Sequence, residues 1–295
     1  MSVRQYLPPA VAVSTVAFAL RPPMGAFELD SSSAGEHSVT GPTLWLPLVR
    51  RTRAPFRGQW ALPGGPTRWN ETLTDTALRS IRAAALRTPG YLEQLYAFGG
   101  VERSADAQRL VTIAYWAMLG EADLAGAPLG PAGDGAAHAA SDAGSAPVRR
   151  WDDATPAVLH DDVGAGAGTA TAETAADPNV AWCSADRLPA LAFDHAEIVA
   201  YALARLRSKT EYAAVAHRFL GPTFTLGQLR AVYEAVLGSA LDPANFRRQA
   251  LAQGSLVDTG EREIGTPHRP ARLYRFAGDT TSDVPSDLAQ PRRSS

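Results

Sequence analysis

The sequence predicts an α/β protein in two parts, an α/β/α sandwich followed by a small winged helix-turn-helix domain. Three observations predict it. In residues 9–120, apolar β-branched runs surround one amphipathic helix pattern. Near residues 225–254, two helix patterns meet at a short turn, and two strand-like runs follow. Between these regions lies a segment too poor in large apolar residues to build a core. The 295 residues suffice for one large or two ordinary domains, and 45% hydrophobic with 20% charged residues is a globular composition.

The elements of the first part follow in order. VAVSTVAFAL (residues 11–20) reads as a buried strand. It is too short for a bilayer, which takes ~20 apolar residues. A signal-peptide reading would use Arg4 and a site at Ala17-Phe18-Ala19. Pro8-Pro9 interrupts its start and only one basic residue leads it, so the strand is favoured. TLWLPLVRR (43–51) is the next strand, and RTRAPFRGQW after it a basic loop. Trp60 to Pro63 leads into Gly64-Gly65. Leu73, Ala77, Ile81 and Ala84 then recur at helical spacing, with Pro89-Gly90 as the expected stop. LEQLYAFGG and LVTIAYWAML are further strands.

The middle, about 121–180, is rich in Ala, Gly, Asp and Pro and reads as a disordered acidic insertion. The island VRRWDDATPAVL inside it is a candidate docking piece, with a solvated loop the simpler reading. The net charge of −2 hides an uneven distribution. Residues 1–120 carry 12 basic and 8 acidic side chains, 121–186 carry 2 and 11, and 195–276 carry 11 and 7. The whole-chain pI therefore says little about a nucleic-acid partner. The single cysteine, Cys183, allows no internal disulfide and fits a reducing cytoplasm.

The third region is the most regular. HAEIVAYALARLR is a helix with Ile198, Leu203 and Leu206 inward, and TEYAAVAHRFL a second. In TLGQLRAVYEAVLG, Leu226, Leu229, Val232, Tyr233, Val236 and Leu237 form one stripe, and Thr225 with Gln228 makes a capping-box signature. In DPANFRRQALAQG, Asp242 caps, Pro243 takes the first turn and Gly254 ends the helix. Phe246, Ala250 and Leu251 face inward, leaving Asn245, Arg247, Arg248 and Gln249 on or near the outer face. SLVDTG and PARLYRF would form a wing around GEREIGTPHR, with Arg262, His268, Arg269 and Arg272 on or beside it. Any single arginine here can be merely solvated. The order of elements and the clustering together point to DNA.

Residues 64–90 resemble a Nudix box. That family places a glycine, a glutamate, an Arg-Glu pair and two adjacent glutamates at fixed spacing. On one helix face such carboxylates hold hard divalent cations on a diphosphate and activate water. Here Gly65, Glu71 and Arg79 keep the spacing. The pair reads Arg79-Ser80, the adjacent glutamates read Ala83-Ala84, and the later glycine falls at Leu86. The frame is present without its metal ligands, so no catalytic or metal-binding residue is assigned. With LPALAFDHAEI (188–198), FTLGQLRAVYEAVLG, LDPANFRRQ and HRPARLYRF, the chain resembles the NrtR-type transcriptional regulators. The resemblance covers about 1–120 and 180–276.

That resemblance implies a Nudix-like sensing domain (9–193) and a winged helix-turn-helix domain (194–276), while the tail (277–295), rich in Ser, Asp and Pro, reads as disordered from its composition. It implies a cytoplasmic homodimer on a palindromic double-stranded DNA operator, repressing genes of NAD biosynthesis. Its effector would be ADP-ribose or a related NAD-derived nucleotide, with no cofactor required and no membrane partner. Candidate DNA contacts are Asn245, Arg247, Arg248, Gln249, Thr225, Gln228, Lys209, His268, Arg269 and Arg272. Candidate effector contacts are Arg57, Trp60, Gly64, Gly65, Glu71, Arg79, Arg103 and Arg109. A purely structural Glu71–Arg79 pair is the simpler reading of those two. Two alternatives stand beside this one: an ADP-ribose hydrolase with a rearranged metal site that uses Glu71 with Asp75 or a carboxylate from elsewhere, and a same-architecture regulator sensing a sugar metabolite.

Overall fold

The structure is a computed structural model, and it describes residues 9–29, 43–104, 109–125, 177–213, 215–264 and 270–277. The first apolar run forms β1 (Ala10–Ala19), paired in parallel along its length with β6 (Leu110–Leu119). The other strand pairings of this sheet are antiparallel. β2 (Trp45–Arg50) joins β1, β3 (Trp60–Ala61) and β7 (Val180–Ser184). β4 (Gly64–Pro66) joins β1, and β5 (Tyr91–Phe98) joins β6.

Alternation along β1 sorts its side chains to two faces. Val13, Ala17 and Ala19 cluster with Ala77, Ile81 and Ala85 of α1 (Leu73–Ala85). Val16 and Phe18 cluster with Ile198, Val199 and Ala202 of α3 (His195–Ala213). A helix on each face gives the α/β/α sandwich that the sequence predicted.

α1 begins at a capping box. Thr72 accepts from Asp75 N at 3.1 Å, and the Asp75 carboxylate accepts from Thr72 N at 2.9 Å. The helix ends before the expected Pro89-Gly90 stop. Leu86 closes it in the left-handed conformation, φ 52° and ψ 32°, with its N–H bonded to Arg82 O.

The third region differs from expectation at its start. Residues 195–213 form one helix, not two, because nothing between Arg207 and Thr210 breaks the pattern. A 3₁₀ turn, Val215–Phe219, follows. Then come β8 (Phe224–Thr225), α4 (Leu226–Leu237), α5 (Pro243–Ala252), β9 (Leu256–Arg262) and β10 (Arg272–Phe276). The strands pair in the order β8-β10-β9, which builds the wing beside the helix-turn-helix. One cluster of buried residues runs from Val16 and Trp116 through Ile198 and Leu206 to Phe219, Val236 and Phe276. α3 is thus packed into both parts of the molecule.

Both ends of the segment read as an insertion carry structure. Glu121–Ala125 forms α2, and β7 completes the sheet beside β2. The sequence missed β7 because VAWCS is short and its pairing with residues 45–49 is remote in the chain. The body of the insertion, with its island, and the tail after Ala277 lie outside the described residues.

Candidate functional site

The glycines of the degenerate box have geometric tasks. Gly64 and Gly65 pair with Ser14 and Val13 of β1. A Cβ on Gly64 would meet Val13 O at 2.3 Å, and Gly65 sits at φ 152°. They hold the entry to α1 hard against the sheet.

Glu71 lies just before the cap of α1 and binds Arg79 in a two-point ion pair. Arg79 Nε reaches Glu71 Oε1 at 2.7 Å, and Nη2 reaches Oε2 at 2.9 Å. Nη2 also donates to Pro66 O at 3.1 Å. Burial pushes the Glu71 carboxyl up, but the hydrogen bonds and charge of Arg79 outweigh it, so the pKa lies below the ordinary value. Both groups, expected among the effector contacts, are turned to each other and pin the box loop to the helix. Asp75 is held in the capping box. Ser80 and Ala84 are buried against the sheet, Ser80 donating to Thr76 O at 2.7 Å, and Ala83 is half-buried. Among the described residues, no group of three or more His, Cys, Asp or Glu side chains comes together to hold a metal ion.

The three other arginines expected at the effector are not equivalent. Arg57 is exposed in the β2–β3 loop. Arg103 is engaged: it is ion-paired with Asp194 and donates to Phe98 O at 2.9 Å. Arg109 donates to the neighbouring Gly99 O at 3.1 Å from an exposed position. Arg103 and Arg109 therefore flank one turn after β5. Trp60 packs on the main core, and its carbonyl accepts from Ala192 N at 2.8 Å.

Asp194 and His195, at the head of α3, were absent from the candidates. His195 is buried and accepts from Leu62 N at 2.9 Å through Nδ1. Burial lowers its pKa to about 3, with Arg103 and Arg51 acting the same way and Asp194 opposing them. This pair ties the segment between the two parts to the sheet. Only its place in LPALAFDHAEI could have signalled it.

In the second part, α5 presents two polar faces. Arg247 and Arg248 are exposed, as is Leu251 at 41%, contrary to its inward reading. At 100° per residue, Arg248 and Leu251 lie opposite the buried Phe246 and Ala250. Asn245 and Gln249 also reach solvent but line a cavity against the body of the domain. Arg248 Nη2 donates to Asn245 Oδ1 at 2.7 Å. Thr225 and Gln228 form a capping box: Gln228 N donates to Thr225 Oγ1 at 3.1 Å, and Thr225 N to Gln228 Oε1 at 2.7 Å. Thr225 is buried, so the cap, not an exposed hydroxyl, is its role in this structure.

On the wing, Arg262 and Arg272 are exposed, and Arg272 pairs with Asp258 at 2.6 Å. His268 and Arg269 lie outside the described residues. Lys209, expected at a phosphate, sits elsewhere. Its ammonium is ion-paired with Glu93 of β5 and donates to the Tyr91 hydroxyl at 3.2 Å, against the Trp116 ring. The lone lysine thus fastens α3 to the sheet edge, a partnership of residues 116 apart in sequence.

Comparison with known proteins agrees with this architecture. Residues 216–276 match the family described as the NrtR DNA-binding winged helix domain. An ADPR-responsive transcriptional repressor of Acinetobacter baylyi is 28% identical over 260 residues, spanning 86% of this chain and 85% of that protein. The crystal structure of Shewanella oneidensis NrtR with a 27mer DNA is similar at 25% identity and TM-score 0.58, covering 90% of this chain and 93% of that one. A MutT/nudix family protein of Enterococcus faecalis shares the fold, with TM-score 0.53 and 22% identity over 94% of this chain and 89% of that one. In architecture the chain is thus similar to the Shewanella protein, a Nudix-like fold followed by a segment that matches the NrtR DNA-binding winged helix domain.

Proposed function

We propose that this chain is a DNA-binding transcriptional repressor of NAD biosynthesis genes. In this reading the Nudix-like domain binds ADP-ribose or a related NAD-derived nucleotide without hydrolysing it. The observation that carries the reading is one chain joining a winged helix with exposed arginines to a Nudix-like fold lacking the box carboxylates. The positions of those carboxylates are Ser80, Ala83 and Ala84. The related repressor responds to ADPR, and the related Shewanella protein was crystallised with DNA. A nucleotide that is bound and left intact persists as a signal.

Arg247 and Arg248 of α5 enter the major groove in this reading, where arginine pairs well with guanine edges. Asn245 and Gln249 follow on the flank of the helix and suit adenine. Arg272 and the wing meet phosphates. Two copies of the chain, in the cytoplasm, set two such helices on a palindromic operator. The hydrolase alternative calls on Glu71 with Asp75 or a carboxylate from elsewhere, and the carboxylates of Glu71 and Asp75 are already hydrogen-bonded, to Arg79 and Thr72.

The test is operator binding by variants of the outer face. Arg247→Ala and Arg248→Ala each weaken specific binding about tenfold or more, the worth of a bidentate base contact. Thermal unfolding stays unchanged, since both side chains are exposed. Wild-type affinity in both variants would remove them from the interface. Magnesium-dependent release of AMP from ADP-ribose by the wild type would restore the enzyme.

A further inference from the structure

Among the described residues of 215–277, two large apolar side chains are exposed, Leu251 at 41% and Ile264 at 95%. Leu251 lies on α5, and Ile264 lies just past the end of β9 on the wing. These are the two elements that the proposed function sets on DNA, and the role assigned to Leu251 rests on that reading. The helix fixes the direction of Leu251. Phe246 and Ala250 of α5 are buried in the core. Ala244, Arg248 and Leu251 are exposed and spaced at i, i+4 and i+7, so they share the face turned away from those two. Over ~10 Å of helix axis this outer stripe reads apolar, guanidinium, apolar.

The stripe has a nucleic-acid character. Arg247 and Arg248 neighbour the leucine, and α5 carries no acidic residue from Pro243 to Ala252. The one carboxylate beside it, on Asp242, is turned to the helix head and accepts from Asn245 N at 2.8 Å. Of the groups that base pairs present in the major groove, the thymine C5-methyl is the apolar one, and the others are donors and acceptors. A leucine laid on N7 or O6 would strip an acceptor of water and return no hydrogen bond. Leu251 stands ~4.5 Å along the axis from Arg248, between one and two base-pair steps of ~3.4 Å.

We propose that Leu251 is a specificity-determining residue of the operator contact. Its side chain packs on the C5-methyl of a thymine one or two base pairs from the guanine that Arg248 reads. The contact supplies a discrimination that the arginines do not, since a guanidinium finds no hydrogen bond at a methyl group.

The experiment is a competition binding series on the operator duplex with the full chain at one fixed salt concentration. Each thymine is replaced in turn by uracil, which keeps the hydrogen-bonding edge and lacks only the methyl group. In the wild type, replacement at one position of the half-site weakens binding about fourfold, the worth of one buried methyl. In Leu251→Ala that step vanishes, so thymine and uracil at that position bind equally, as the double-mutant cycle requires. Leu251→Met, still apolar and unbranched, restores the step. Thermal unfolding is unchanged in both variants, since the side chain is exposed and alanine and methionine are good helix formers. Specific binding by the wild type that no uracil replacement weakens overturns the proposal and leaves the regulator reading standing. So does a methyl effect that persists undiminished in Leu251→Ala. No specific binding by the wild type to any duplex overturns the regulator reading and this role with it.

Discussion

At the head of α3, a histidine is kept neutral by its surroundings, and this makes stability depend on pH. The His195 pKa falls to about 3 on folding, from an ordinary value of 6.5. Above 6.5 both states are neutral at this residue and it contributes no slope. Between those values the unfolded chain takes up a proton that the native protein refuses. Stability therefore falls as pH drops through that window, by up to about 1.4 kcal/mol per pH unit. Urea unfolding near pH 7 and near pH 5 checks this: His195→Gln loses about 2 kcal/mol less than the wild type across that span. Parallel losses in the two proteins would assign the slope to other groups. Gly64 makes a second prediction at this scale. Gly64→Ala forces a Cβ to 2.3 Å from Val13 O, a backbone atom of the central strand. It lowers the melting temperature, by an amount corresponding to about 2 kcal/mol or more, because backbone cannot step aside as a side chain can. A melting temperature equal to the wild type's would show that β1 and β4 can separate freely.

At the scale of elements, what the sequence disclosed was local. The cap of α4 is Thr225 with Gln228, three residues apart, and that of α5 is Asp242 followed by Pro243. Both were legible because cap and helix are adjacent in the chain. The cap of α1 has the same form, with Thr72 and Asp75, so the carboxylate nearest the Nudix spacing is held by the helix start. Remote partnerships were not legible. Lys209 finds Glu93, β7 finds β2, and Arg103 finds Asp194 only once the sheet has formed. The end of α1 was misplaced for a different reason: a leucine occupies the left-handed position that a glycine ordinarily takes. That residue bears about 1–2 kcal/mol of backbone strain. Leu86→Gly releases it at the loss of a half-buried side chain, for a net gain of about 1 kcal/mol in chemical denaturation. A loss would mean that packing of Leu86 outweighs the strain. Thr225→Ala acts oppositely, removing the cap acceptor and costing about 1 kcal/mol.

At the scale of the molecule, the two parts share a core and a helix. Buried residues are continuous from the sheet, along α3, to the helices and wing of the second part. Two further fastenings hold α3 to the sandwich, the Lys209–Glu93 pair and the Asp194–Arg103 pair. A ligand that changes the set of the sandwich against α3 has a contiguous packed route to α4 and α5. If ligand and DNA favour different arrangements, each weakens the other by the same factor. In the proposed function the Nudix frame without its carboxylates shapes the sensor, and the winged helix reads DNA. The most direct test is fluorescence anisotropy of the full chain on duplex DNA from upstream of its own gene and its neighbours. It is run at one fixed salt concentration, because phosphate contacts make affinity steeply salt-dependent. The account predicts sequence-specific binding that ADP-ribose weakens. Binding no stronger than to random duplex would contradict it at its centre.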